Sequence, residues 1–504
     1  MNSLLYLLPF SIVIGAIGIL IYLYNQLNFW SKKNIPRTSL FLTVKTFYQV
    51  FGQRKSLPEI HQINYNAFSN ARYFGTLNFF TPTITIRDPE IIKDVLVKNF
   101  DHFTDHQSFV DEKTDPVFGK NLISLKGERW REIRNTLSPS FTAVKMKFMF
   151  DLVSMCAKSF IEYFNNHPEE AECFEGKDIF TKYTNDVIAS VAFGISVNSL
   201  ENKNNEFYTK GKDATSFNFF RIIKMFLFIF FPKLMKLMRQ KVLPNKTDNF
   251  FRTVIKDTLR IREEKKIIRP DMIHLLMEAR DKENGIDLSI DDIIAQAFLF
   301  FFAGFETSST FMCFLAHELA VNEQIQEKLR NEIDNLTADN EISYDIVNKM
   351  TYLDMVISET LRKYPPAAAT DRICVKSFSL PQATPDTNKY TIEPNSQIFI
   401  PIYALQNDPK YFPEPEKFDP ERFSDENKDK INPYTYLPFG LGPRKCIGNR
   451  FALMEIKILF VYILKNFVLE KTEKTKDPIE FDNKFAMSIK GGCWIKLREK
   501  VSFY

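Results

Sequence analysis

The chain has 504 residues, of which 45% are hydrophobic and 25% charged, an ordinary globular balance that leaves the number of domains open. A net charge of +4, with Lys and Arg scattered rather than blocked, excludes nucleic acid as an expected partner. The 6 cysteines form no CxxC and no close pair, which argues against a disulfide framework or a zinc site, and 50 Phe against 3 Trp points to a large apolar interior or chamber.

In chain order, "LLYLLPFSIVIGAIGILIYLY" from Leu4 to Tyr24 has no charged side chain and the length a helix needs to cross a hydrocarbon core of about 30 Å. Lys32, Lys33 and Arg37 follow, so the positive-inside rule leaves the bulk of the chain in the cytosol. The expectation is an uncleaved anchor over 1–24, a basic linker over 25–60 and one domain over 61–504. Alternation from Thr83 to Ile86 predicts a strand, and Asp88-Pro89 a turn into a helix. From Glu128 onward the helical period dominates. The stretch from Phe217 to Met238 is apolar but interrupted by Arg221, Lys224 and Pro232, which suits a membrane interface or an ordinary pair of core helices. A capping box at Ser289 and Asp292 opens a helix that is apolar on nearly every face to Asn322, as befits the centre of a large domain. After about residue 365, short strand-like pieces and Pro-rich turns take over, so the fold class is mainly α with small β-sheets.

Chemistry concentrates in "FGLGPRKCIGNRFALMEIK", residues 439–457, where one cysteine stands between a glycine-rich turn and a helix start. The thiolate is the metal-binding form of cysteine, and a helix N-terminus together with Arg444 and Lys445 is expected to lower its pKa. Gly442 and Gly448 are expected to let the backbone approach a flat partner, with Pro443 stiffening the turn. Ligation by one cysteine does not make a tetrahedral zinc site or a four-cysteine cluster but fits the axial ligand of haem iron. The plain alternative is a small buried hydrophobe.

Phe439, Gly442, Arg444, Cys446 and Gly448 match the pattern FxxGxRxCxG, and here the chain resembles the cytochrome P-450 superfamily, the haem-thiolate monooxygenases. The resemblance implies the cytochrome P-450 fold with an N-terminal transmembrane helix, haem b as cofactor and Cys446 as its iron ligand. It also implies that Glu359 and Arg362 in "SETLRKYPP" meet Arg422 in "PERF" as a structural triad, since three residues' spacing places the first two on one helix face. By the same likeness "AGFET", Ala303 to Thr307, lies over the distal face of the haem, with Thr307 delivering protons and Glu306 assisting. A carboxylate and a hydroxyl inside an apolar helix need a partner or a task. Gly304 is expected to let the helix distort there. Trp130 and Arg134 in "WREIR", Arg372 in "TDRIC" and Arg444 match contacts to the haem propionates, a role that suits fork-shaped guanidinium groups.

Two departures stand out: His106 in "FTDHQ" occupies a position where related members often carry arginine, and Pro36 alone stands where a proline-rich hinge is usual. The segments "RPDMIHLLMEAR" and "DDIIAQAFLFFFAGFE" look like insect microsomal members of the clan containing families six and nine. Matching positions suggest a chamber lined by Phe109, Phe118, Phe298, Phe302, Ala368, Thr370 and Met487. The sequence shows neither a dinucleotide fingerprint nor a flavin domain, so electrons are expected from NADPH through a partner reductase, with cytochrome b5 as a second donor. Arg131, Lys145, Lys147 and Lys445 are candidates for the docking face. The implied setting is the endoplasmic reticulum membrane, and the implied substrates are hydrophobic xenobiotics such as plant toxins and insecticides. Hydroxylation of an endogenous hormone or lipid, or a haem-thiolate isomerase reaction needing no reductase, are the alternatives.

Overall fold

The computed structural model describes residues 24–52, 54–78, 81–108, 110–216, 219–269, 271–281, 288–483 and 487–500, with Gly18 and Tyr22. The anchor expected over 1–24 lies outside the described residues apart from Gly18, Tyr22 and Tyr24, and Phe109 lies outside them too.

The first described segment folds back on the body of the molecule. Trp30 is buried and donates from Nε1 to the Thr76 carbonyl at 2.9 Å, and Gly75 N–H donates to the Pro36 carbonyl at 2.7 Å. A Cβ on Gly75 would collide with the Trp30 ring, so glycine there makes room for the indole. Residues 30–38, within the expected basic linker, therefore dock on a sheet. Two helices follow, α1 (Leu40–Phe51) and α2 (Leu57–Asn66), the second opened by a Ser56–Glu59 capping box.

Strands β1 (Tyr73–Asn78) and β2 (Thr81–Ile86) pair antiparallel, β2 runs parallel to a later strand, and that strand pairs antiparallel with the one carrying Arg372. The Asp88 carboxylate caps the short helix after β2, as the sequence predicts. The helical body includes, in chain order, α3 (Gly127–Leu137), α4 (Ala143–Asn166), α5 (Gly176–Ile188), α6 (Phe219–Phe230), α7 (Pro232–Leu237), α8 (Ile290–Val321) and α9 (Thr351–Lys363). Strands β3 (Thr370–Ile373) and β4 (Gln397–Ile400) complete the first sheet in the order β1-β2-β4-β3. The last helix, α10 (Asn449–Asn466), leads into β5 (Phe467–Lys471), which pairs with β6 (Trp494–Glu499).

The predicted Ser289–Asp292 capping box is present, and α8 runs unbroken for 32 residues, about 48 Å, through the larger of two hydrophobic cores. It is the one described helix apolar and long enough to cross a membrane, yet 67% of its apolar window is buried in protein, so it serves as the central core helix. A smaller core packs helices against the four-stranded sheet.

His61 on α2 is half-buried, and its buried Nδ1 has no hydrogen-bond partner. Burial lowers its pKa from 6.5 to about 4. The folded state thus holds this imidazole neutral, whereas the unfolded chain takes up the proton near 6.5. Stability carries no His61 penalty above pH 6.5 and loses on the order of 3 kcal/mol as pH falls toward 4. His61→Phe, which retains the ring packing against Phe399, is expected to flatten that part of the stability profile in denaturant titrations.

Candidate active site

The glycine-rich loop closes on itself before α10 begins. Cys446 N–H donates to the Phe439 carbonyl at 2.8 Å, and Lys445 N–H to the Gly442 carbonyl at 2.9 Å. Gly442 has φ +72°, and a Cβ there would collide with the Leu96 carbonyl oxygen. The close approach that requires glycine is thus to the protein's own backbone, where a flat partner was expected. Gly448 does leave open space, the nearest atom that a Cβ there would meet being in the Phe141 ring at 3.8 Å. The Cys446 side chain is accessible to water, yet burial is the largest influence on its thiol. Burial pushes its pKa up, against the pull of the Gly448 amide, Arg134 and Lys445, so the lowering expected from the sequence does not occur.

Behind the loop stands the triad read from the sequence. Glu359 and Arg362 have 0% side-chain exposure and form two bonds of 2.8 Å, Nε to Oε2 and Nη2 to Oε1. Arg422 approaches the same carboxylate with Nε 3.5 Å from Oε1. Arg362 also donates to the carbonyls of Gln406 at 3.0 Å and Pro415 at 2.8 Å. Gln406, which the sequence did not single out, donates to the Leu361 and Arg362 carbonyls and accepts from Leu437 N–H at 2.7 Å. That last bond ties the triad to the start of the cysteine loop.

On another side of the loop lies a cluster of guanidinium groups. Arg134 donates to the Lys445 carbonyl at 2.7 Å and is close enough to Cys446 for the two charges to interact. Arg444 stacks over the Trp130 ring at 4.1 Å and donates to the carbonyls of Thr104, Leu122, Ile123 and Leu125 at 2.8, 3.1, 3.4 and 2.7 Å. Four of its contacts are to main-chain oxygens, so it braces residues 104–125 beside the cluster. Arg372 on β3 is buried, bonds Thr370 Oγ1 at 3.2 Å and leaves Nε without a partner. Burial lowers the pKa of Arg372 to about 10 and, with repulsion from Arg372, that of Arg444 to about 9. His106 Nδ1 lies 2.9 Å from Asp371 Oδ1; burial lowers its pKa despite that bond, so at neutral pH it adds no cation. Asp105, 3.7 Å from Arg444, and Asp371 are the two carboxylates facing the cluster, and sequence spacing gave no sign of either.

The third wall is the middle of α8. Residues on both sides are buried, but Phe302, Ala303, Gly304 and Glu306 are partly open and Thr307 is exposed. Gly304 does not distort the helix; it admits Ile188, whose side chain would lie 2.5 Å from a Cβ. Thr307 donates from Oγ1 to the Ala303 carbonyl at 2.6 Å, and Glu306 Oε1 lies 3.0 Å from Lys177 Nζ. Phe141 joins this wall to the loop, packing 5.8 Å from Phe300 as well as facing Gly448. Phe118, Phe298 and Phe302 pack mutually at 5.7 to 6.2 Å, Ala368 and Thr370 are partly open, and Met487 is buried in the core.

Residues 47–495 match the family model described as Cytochrome P450. The chain belongs to that family. It is 45% identical to cytochrome P450 9e2 of Blattella germanica over 100% of both chains. It is 40% identical to probable cytochrome P450 9f2 of Drosophila melanogaster over 90% of this chain and 91% of the relative. Cytochrome P450 6k1 of Blattella germanica is 35% identical over 94% and 93%. The resemblance to insect members of families nine and six is therefore real.

As a cytochrome P450, the protein is a monooxygenase that uses haem with an axial cysteine thiolate and takes electrons from a partner reductase. The residues described fit that group. Three guanidiniums face two carboxylates, the buried Arg372 Nε–H is unpartnered, and the thiol beside them is accessible. An excess of buried positive charge calls for an anion, which a dicarboxylate macrocycle provides.

Gly442→Ala is expected to cost at least about 3 kcal/mol, from its positive φ and the collision with the Leu96 carbonyl. Thermal unfolding and the yield of haem-loaded protein measure it, while Gly448→Ala, with its open surroundings, should be mild.

Proposed function

We propose that this cytochrome P450 oxidises bulky apolar small molecules at the endoplasmic reticulum membrane, with Cys446 as the iron ligand. The observation that carries the assignment is the convergence of the accessible Cys446 thiol, the guanidinium cluster and the open middle of α8. When bound, haem supplies dioxygen activation, the thiolate donating electron density that favours O–O cleavage.

The chain's own residues divide the remaining work. Arg372, with its free Nε, and Arg134 take the haem carboxylates, Trp130 closes the pocket beneath Arg444, and Arg444 holds the wall segment in place. Thr307 holds a proton at Oγ1 on the open face of α8, and Glu306 assists in passing protons toward it. Ala303 leaves room beside that hydroxyl. Phe118, Phe298 and Phe302 exclude water and favour aromatic or polycyclic substrates, with Ala368 and Thr370 at the chamber's partly open edge. Xenobiotics such as plant toxins and insecticides have this character.

In the carbon monoxide difference spectrum of the reduced protein, a Soret band at the thiolate-ligated position is expected, and Cys446→Ala should abolish it. Thr307→Ala should keep the band but divert NADPH from product to peroxide, as expected on loss of a proton-transfer group.

Membrane attachment is supported by exposed apolar side chains beyond the anchor: Phe41, Val44 and Tyr48 on α1, and Leu234, Leu237 and Met238 in and after α7. A chain lacking residues 2–24 is expected to retain binding to phosphatidylcholine vesicles, and Leu234→Ser with Leu237→Ser to weaken it. Flotation assays measure both.

A further inference from the structure

Four consecutive hydroxyl side chains, Thr307 to Thr310, follow Glu306 on α8, and one cation from another helix grips this stretch. Lys177, in the first turn of α5, places Nζ 3.0 Å from Glu306 Oε1, 3.2 Å from the Glu306 carbonyl oxygen, 2.8 Å from Ser309 Oγ and 2.7 Å from Thr310 Oγ1. An ammonium has three protons, so these four acceptors use all of its donor capacity. Seven residues further along α5, Thr184 Oγ1 donates to the Phe305 carbonyl at 3.1 Å. Neighbouring carbonyls of α8, at Phe305 and Glu306, thus receive donors from α5, beside the turn that presents Thr307 to the chamber.

Ser309 and Thr310 are buried, whereas the Lys177 and Glu306 side chains remain 31% and 29% exposed. The pair therefore stands where water reaches the α5 side of this turn, beside the buried Ser309 and Thr310. A lysine spent only on tying two helices together has no need of the carboxylate next to the exposed threonine.

We propose that Lys177 is a positioning residue for the monooxygenase reaction. It fixes the Glu306 carboxylate on the α5 side of the central helix and, through Ser309 and Thr310, sets the turn from which Thr307 faces the chamber. The proposal rests on the reading of Thr307 and Glu306 as the proton-delivering pair.

The test uses the full chain, loaded with haem and reconstituted with reductase. Lys177→Met should retain the carbon monoxide band of the thiolate-ligated state, while the fraction of NADPH recovered as product falls about tenfold, as for the loss of a charged hydrogen bond. Lys177→Arg should recover most of that coupling, and Lys177→Met with Glu306→Gln should be no worse than Lys177→Met alone. The solvent deuterium isotope effect on product formation should change in Lys177→Met, a readout that a helix-tying role leaves untouched. In substrate-free protein, thermal unfolding of the same two substitutions should be non-additive.

Full coupling in Lys177→Met, or losses at Lys177 and Glu306 that multiply independently, overturns the proposal. If Lys177→Met does not fold, Lys177→Gln is read by the same criteria. Absence of the thiolate band in the unaltered protein overturns the functional reading itself, and so is distinguishable from failure of the Lys177 assignment.

Discussion

A glutamate and an arginine shut away from water set the position of the thiol. Glu359 and Arg362 are paired through two bonds on α9, and a dry ion pair is tolerable only when its remaining donors and acceptors are filled. Here they are: Gln406, Pro415 and the Asp419 amide complete the set. Because Gln406 goes on to hold Leu437, the geometry of a loop some 80 residues further along the chain descends from this one pair. The triad is therefore the frame of the site, and no part of it need touch a substrate.

On that frame the molecule separates its charges by purpose. Cations beside the cysteine loop outnumber the carboxylates that face them, which prepares that side for an anionic cofactor. The acid of α8 is turned instead toward Lys177, leaving a hydroxyl as the polar group on the chamber face. The aromatic side chains around it belong to the same core that stabilises the fold, so binding space and core share one set of phenylalanines.

Much of this was legible in the sequence because it is local. The Ser289–Asp292 box, the Glu359–Arg362 spacing and the Cys446 loop each lie within a few residues, and each appears where the pattern put it. What escaped notice is non-local. Lys177 meets Glu306 across 129 positions, and Asp371 meets His106 across 265, contacts that no periodicity encodes. The glycine of the loop was recognised as necessary, but its reason, the carbonyl of Leu96, required the three-dimensional neighbour. The thiol was misjudged likewise: sequence shows the cations nearby but not the burial that outweighs them. The docking of Trp30 is non-local too, since its partner, β1, begins more than 30 residues later.

Arg444 grips residues 104–125 by their carbonyl oxygens, and that choice of handle has an evolutionary consequence. A carbonyl is the same whatever amino acid bears it. The segment that carries Phe118 toward the chamber can therefore exchange its side chains while its path stays anchored. New chemical challenges can be met by drift in this segment, at little risk to the machinery it encloses.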